Sequence, residues 1–285
     1  MSGVHQLGNK QPLYQVLSLD VVLGALAVGL FAIRVLNVTP QPVWWIILPL
    51  AVWSVYTLDH ILDGIALKGQ STIFRHSFHY KNRKVLIPFV FAAAITSILL
   101  SLLYMEKPII ISGIILSVFV IIYFILVYFQ EKLRIKYIHK EVFIAFVYVT
   151  GILLAPVVWY NEPLIYQHFL LFGILMLLVW TESVIISYYD FKEDKNDQLN
   201  SFTTTYGPER TRTIVISVQL ILAVILFLSL LVCDVKVLLG AVIIESFMNF
   251  ILLVIIYFHE TFAKNNLFRW IGETVFMLPV LILFF

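Results

Sequence analysis

Two pairs of aspartates have a spacing that suits them for chemistry. Asp59 and Asp63 close the run Ser54-Val-Tyr-Thr-Leu-Asp-His-Ile-Leu-Asp-Gly64, and Asp190 and Asp194 open the run Asp190-Phe-Lys-Glu-Asp-Lys-Asn-Asp197. Within each pair the residues are four apart, so on a helix both carboxylates share one face. Both runs follow long apolar stretches, which puts the acids at a membrane–water boundary, where unneutralised charge is costly. Divalent cations would neutralise them. Hard oxygen ligands that leave coordination positions for phosphate oxygens suit Mg²⁺. Asp59, Asp63, Asp190 and Asp194 are therefore the candidate catalytic carboxylates, and with Asp197 the candidate metal ligands. One such pair alone would read more simply as a solvated helix end; two pairs on the same side favour a site.

Those carboxylates need elements to carry them. Of the 285 residues 61% are hydrophobic and 13% charged, with a mean hydropathy of +0.96. A soluble domain carries about twice that charged fraction, so lipid must act as much of the solvent. Apolar runs between charged or Pro/Gly breaks mark about nine bilayer-crossing helices, at 16–37, 42–63, 85–104, 108–129, 141–160, 164–189, 213–233, 236–258 and 268–285. The last is short and interrupted by Glu273 and Pro279. The first is too long for a cleaved signal peptide, contains Arg34 and lacks a small-x-small cleavage site. The expected fold class is an all-α integral membrane protein, with residues 1–285 as a single domain.

Charge sets the expected orientation. With the N-terminus inside, sixteen of the nineteen Lys and Arg residues fall on the inner face. The expectation is a cytoplasmic N-terminus, a C-terminus on the outer face and a polar mouth on the cytoplasmic side. The long connections, 64–84, 130–140, 190–212 and 259–267, all lie on that inner face, which is where polar chemistry is expected. The single cysteine, Cys233, excludes an internal disulfide, and no Cys/His cluster suggests zinc.

Over nearly its whole length the chain resembles the UbiA superfamily of intramembrane prenyltransferases, which have nine membrane helices and Asp-rich motifs at the ends of helices 2 and 6. The first family motif is N-x-x-x-D-x-x-x-D; here it spans 55–63, with both Asp positions kept and Val55 in place of the Asn. The second spans 190–197 and is followed by Thr203-Thr-Thr-Tyr206-Gly207, as in the family. Tyr128, Lys132, Arg134, Gly151 and Pro156 also resemble it. The resemblance implies a UbiA-like bundle, an isoprenyl diphosphate donor, a separate acceptor, Mg²⁺ as cofactor, the bilayer as surroundings and no nucleic acid. It further implies Lys68, Arg75, Lys132, Arg134 and Lys192 as diphosphate-binding cations, and Tyr56, His60, Glu182 and Tyr128 as substrate-binding residues.

Other features are assigned on the residues themselves. Glu182 lies two turns before Asp190 on the same face and is expected to point into the same cavity. Arg75-His76-Ser77-Phe78-His79-Tyr80-Lys81 reads equally as a lid over the diphosphate or as an interfacial segment attracted to anionic lipid. Asp20, Glu245 and Glu273 are intramembrane acids that need a partner or a cavity. Two other readings stand beside the prenyltransferase. One is a terpene cyclase or diphosphate lyase on the same scaffold. The other is a non-catalytic lipid-binding or transport protein.

Overall fold

The structure is a computed structural model that describes residues 12–71, 73–133 and 140–285, with backbone only for 128–133. Among these residues no strand occurs, and nine helical segments are long and apolar enough to cross a membrane. The protein is a multi-pass integral membrane protein. Its spans are α1 (Leu19–Leu36), α2 (Trp44–Ala66), α3 (Phe74–Tyr104), α4 (Lys107–Leu133) and α5 (Lys140–Trp159), then α6 (Tyr166–Tyr189), α7 (Pro208–Val232), α8 (Lys236–Tyr257) and α9 (Leu267–Val275). A 3₁₀ segment, Leu278–Phe284, prolongs α9, because Pro279 lacks the amide that would continue it as α-helix.

Apolar side chains at nearly every position make these helices compatible with lipid on one side and protein on the other. Position in the bundle decides which. α1, α6 and α8 are the most buried spans and α4 the least. Phe31, Leu36, Leu171, Leu175, Leu178, Met248 and Leu252 are fully buried in the middle of the bundle. Ile111, Ile114, Ile121 and Ile125 of α4 face outward. No hydrophobic gain separates the two environments, so close packing and a few polar contacts hold the helices together. One polar chain crosses the core: Gln219 Nε2 donates to Thr181 Oγ1 at 2.9 Å, and Asn249 Nδ2 donates to the Gln219 carbonyl at 3.1 Å. It joins α6, α7 and α8.

The stretch expected as a long inner loop, 64–84, is mostly helix. α2 runs on to Ala66 and α3 starts at Phe74, leaving only residues 67–73 between them. Arg75–Lys81 forms the first turns of α3, which does not fit the interfacial reading. Arg75, His76 and His79 are buried there, not lying on a lipid surface. An apolar-run criterion starts α3 late because these turns bury polar groups. The connection 190–212 is likewise folded: it contains the helices Phe191–Asn196 and Phe202–Tyr206, and α7 begins at Pro208, a favoured first helical residue. Ser201 and Thr204 form a capping box at the second of these short helices.

α2 and α3 pack as a tight hairpin that Gly64 makes possible. A methyl group at Gly64 would lie 2.6 Å from the His76 carbonyl oxygen, so the backbones touch where a side chain would stand. Gly64→Ala is expected to destabilise the protein by about 1–3 kcal/mol through overpacking. Gly113→Ala, on α4 with nothing within 4 Å of the added carbon, is expected to be neutral or slightly stabilising. Unfolding midpoints of the two variants in detergent check this.

Candidate active site

α2 and α6 run in the same direction, so their C-terminal ends reach the same end of the bundle. Asp59 and Asp63 from α2, and Asp190 and Asp194 just after α6, all line one cavity of about 220 Å³. Tyr56, His60 and Glu182 line it too, so the two acidic runs and the substrate candidates beside them come together. Asp194 keeps its place through a helical turn, its N–H donating to the Asp190 carbonyl at 2.8 Å. The deeper wall is apolar and aromatic, with Val21, Ile144, Tyr148, Val179 and Phe276. Tyr56 meets Tyr148 edge to face at 6.1 Å.

Basic side chains from other elements hold these acids. Lys140, at the start of α5, donates to Asp63 Oδ1 at 2.9 Å, and His76 Nε2 lies 3.6 Å from Asp63 Oδ2. Arg269, on α9, donates through Nη2 to Asp190 Oδ2. Arg269 Nη1 lies 3.9 Å from Glu273 Oε1, one turn further on, and Arg75 Nη2 donates to that same oxygen at 2.9 Å. Arg75 in turn lies 4.0 Å from Asp20. The result is a ladder of alternating charge, Asp20–Arg75–Glu273–Arg269–Asp190, that ties α1, α3, α9 and the end of α6. Three atoms of the ladder, Asp20 Oδ2, Arg75 Nε and Glu273 Oε2, are buried without a hydrogen-bond partner among the described residues, as are both ring nitrogens of His60 beside it.

Glu141 Oε1 accepts from the Phe202 N–H at 2.6 Å, and Ser187 Oγ accepts from the Thr203 N–H at 3.1 Å. These bonds fasten the Thr-containing end of the second motif to α5 and α6. Burial pushes the Asp194 carboxyl up to about 7, against a hydrogen bond from Ser201 that lowers it; the charges of Asp190 and Glu141 add to the rise.

Not every candidate reaches this cavity. Asp197 and Lys68 line a second, larger hollow of about 1540 Å³ between the end of α2, α4 and the 191–207 segment. Asp197 Oδ2 accepts from Ser71 Oγ at 2.7 Å, and Asp197 shares this hollow with Asp59 and Asp63 but not with Asp190 and Asp194. Lys192 is exposed and lines neither cavity, because it points out from the short helix Phe191–Asn196. Of the cations expected to bind diphosphate, Arg75 alone among the described side chains lines the smaller cavity. Arg134 and the side chains of Tyr128 and Lys132 lie outside the described residues. The two hollows share Asp59, Asp63, Leu199 and Asn200, and so meet at the first acidic pair.

Sequence reasoning missed Lys140, Glu141 and Arg269 as site residues. Lys140 and Arg269 counted only toward orientation, and Glu273 had no partner. Arg269 and Glu273 do carry a signal, being an oppositely charged pair one turn apart on an otherwise apolar span. Glu245, which needed a partner or a cavity, is fully buried in α8 with neither carboxylate oxygen hydrogen-bonded among the described residues.

The donor set suits a hard divalent cation. Eight acidic side chains line the smaller cavity against three cationic ones, Arg75, Lys140 and Arg269. A surplus of carboxylates at a cavity wall is the condition under which Mg²⁺ fits. Among the described residues, though, no three acidic or histidine side chains are gathered closely enough to hold a metal as they stand. Asp63 and Asp190 are instead turned toward Lys140 and Arg269.

No protein-family model matches the chain and no curated protein is similar to it. Its fold is nevertheless shared with a solved digeranylgeranylglyceryl phosphate synthase. The two superpose with a TM-score of 0.54 over 94% of this chain and 98% of that one, at 14% sequence identity. The chain therefore has the same membrane helical-bundle fold as that synthase.

Glu273→Gln would leave Arg75 and Arg269 without the carboxylate between them. The expected cost is about 3–5 kcal/mol, as for removal of one partner from a buried ion pair, read from the unfolding midpoint in detergent. Asp194→Asn is expected to act through pH. A carboxyl raised from 3.8 to about 7 by folding favours the folded state at low pH and loses that advantage as pH rises toward 7. The stability gained by the Asn variant over the native protein, in metal-free buffer, should widen from pH 4 to 7 and level off above.

Proposed function

We propose that the protein is an intramembrane prenyltransferase that moves an isoprenyl group from a prenyl diphosphate to a small lipophilic or aromatic acceptor, with Mg²⁺ as cofactor. The observation that carries this reading is the convergence of both aspartate pairs on one cavity at the end of a UbiA-type bundle. The meeting of a second, amphipathic hollow with that cavity at Asp59 and Asp63 favours two substrates, hence transfer over cyclisation or lysis. The basic bias along the sequence supports a mouth on the cytoplasmic side.

Asp59, Asp63, Asp190 and Asp194 would hold the metal. When bound, Mg²⁺ supplies positive charge to the phosphate oxygens of the leaving group. Arg75, Lys140 and Arg269 add fixed cationic donors on the same wall, where charge develops as the C1–O bond breaks and its electron pair leaves with the diphosphate. Tyr56, Tyr148 and Phe276 face the allylic carbon chain. They keep water from the electron-poor carbon and offer ring faces to its charge. The acceptor's nucleophilic atom then bonds to C1 and gives up its proton.

Membranes carrying the protein, incubated with labelled prenyl diphosphates and candidate acceptors, should yield a prenylated acceptor and diphosphate in a Mg²⁺-dependent reaction. Asp59→Asn and Asp190→Asn are each expected to lower the rate by about 100-fold or more, while Lys192→Ala leaves it unchanged. A cyclised hydrocarbon formed from the donor alone would overturn the transferase assignment.

A further inference from the structure

Asp190 is already occupied. Its Oδ2 receives the Arg269 guanidinium, and both side chains are largely withdrawn from solvent. A divalent cation at that carboxylate would face a like charge close by, so the guanidinium lowers the affinity of Asp190 for metal for as long as it stays. The ladder offers it a place to go. Glu273 Oε1 lies 3.9 Å from Arg269 Nη1, and Arg269 keeps further N–H donors for an anion in the cavity. Glu273 is shared with Arg75, whose buried Nε has no hydrogen-bond partner among the described residues. That Nε and the guanidinium released from Asp190 are donors from which a diphosphate would accept.

Resting on the prenyltransferase reading above, we infer that Arg269 is a resident counter-ion that makes metal uptake depend on the diphosphate. With no donor bound, Arg269 holds Asp190 and keeps the site's affinity for a divalent cation low. When the prenyl diphosphate enters, Arg269 turns to its phosphate oxygens and Asp190 is freed for the metal. Metal and donor thus load together. Lys140 on Asp63 repeats the arrangement on the other pair, but with a point charge in place of a two-pronged guanidinium.

The test uses the full chain in detergent, with Mn²⁺ in place of Mg²⁺ because both take oxygen ligands in octahedral geometry. Protein-bound Mn²⁺ is measured by electron paramagnetic resonance without any phosphate. Separately, binding of a non-hydrolysable prenyl thiolodiphosphate is measured by calorimetry at saturating Mg²⁺. Arg269→Gln is expected to bind Mn²⁺ alone about tenfold more tightly than the native protein and to bind the analogue about tenfold more weakly. These opposite signs separate the proposal from a purely structural role, which would weaken both. Unchanged or weaker Mn²⁺ binding by folded Arg269→Gln overturns the inference. If that variant does not fold, Arg269→Lys decides: its single point charge grips Asp190 less firmly, so Mn²⁺ affinity should rise a few-fold, and no rise overturns it. Absence of Mn²⁺ binding in native and variant protein, even with the analogue present, would remove the prenyltransferase reading as well.

Discussion

Charge buried at the edge of a bilayer has to be neutralised locally, and the ladder from Asp20 through Arg75, Glu273 and Arg269 to Asp190 does this at the mouth of the bundle. Each rung belongs to a different helix from its neighbours except Arg269 and Glu273, which share α9. The ladder fixes where α1, α3, α6 and α9 end relative to one another. Hydrophobic burial cannot do this, since lipid is as apolar as the flank of a neighbouring helix. Removing one rung leaves an uncompensated charge in a poorly polarisable place, which costs far more than the intact pairing contributes.

The same ladder shapes the site. Acidic side chains outnumber cations along the cavity wall, so the resting cavity is short of positive charge. Such a wall is unsuited to an anion by itself and suited to an anion that arrives with divalent cations. Aromatic and aliphatic side chains, Val21, Ile144, Tyr148, Val179 and Phe276, line the other side. Polar head at the mouth and apolar chain among the helices is the arrangement a lipid diphosphate would need.

At 14% identity, the bundle shared with the digeranylgeranylglyceryl phosphate synthase owes little to common side chains. In this chain the described residues show the constraints that build such a bundle: nine apolar segments, short connections at one end, and folded, charged connections at the other. Val55, where the first family motif has Asn, lies on the helix turn before Asp59 and adds no polar ligand. Lys140 and Arg269 instead bond Asp63 and Asp190, partners that the motif alone does not imply.

The membrane fold and the aspartate pairs follow from residue order alone. In hydrocarbon every backbone polar group must bond within its own segment, so an apolar run of span length has few alternatives to a helix. A four-residue spacing likewise puts two carboxylates on one face without help from the rest of the chain. Which cations meet those carboxylates depends on how the helices pack. Arg75 finds Glu273 across 198 residues, Arg269 finds Asp190 across 79, and Lys140 finds Asp63 across 77. Coulomb attraction has no sequence period. It depends on which helices lie side by side and how far each is pushed along its axis, and packing contacts such as Gly64 against the His76 carbonyl set that. For the same reason Lys192, two residues from Asp190, points away, while Arg269 at the other end of the chain occupies the site.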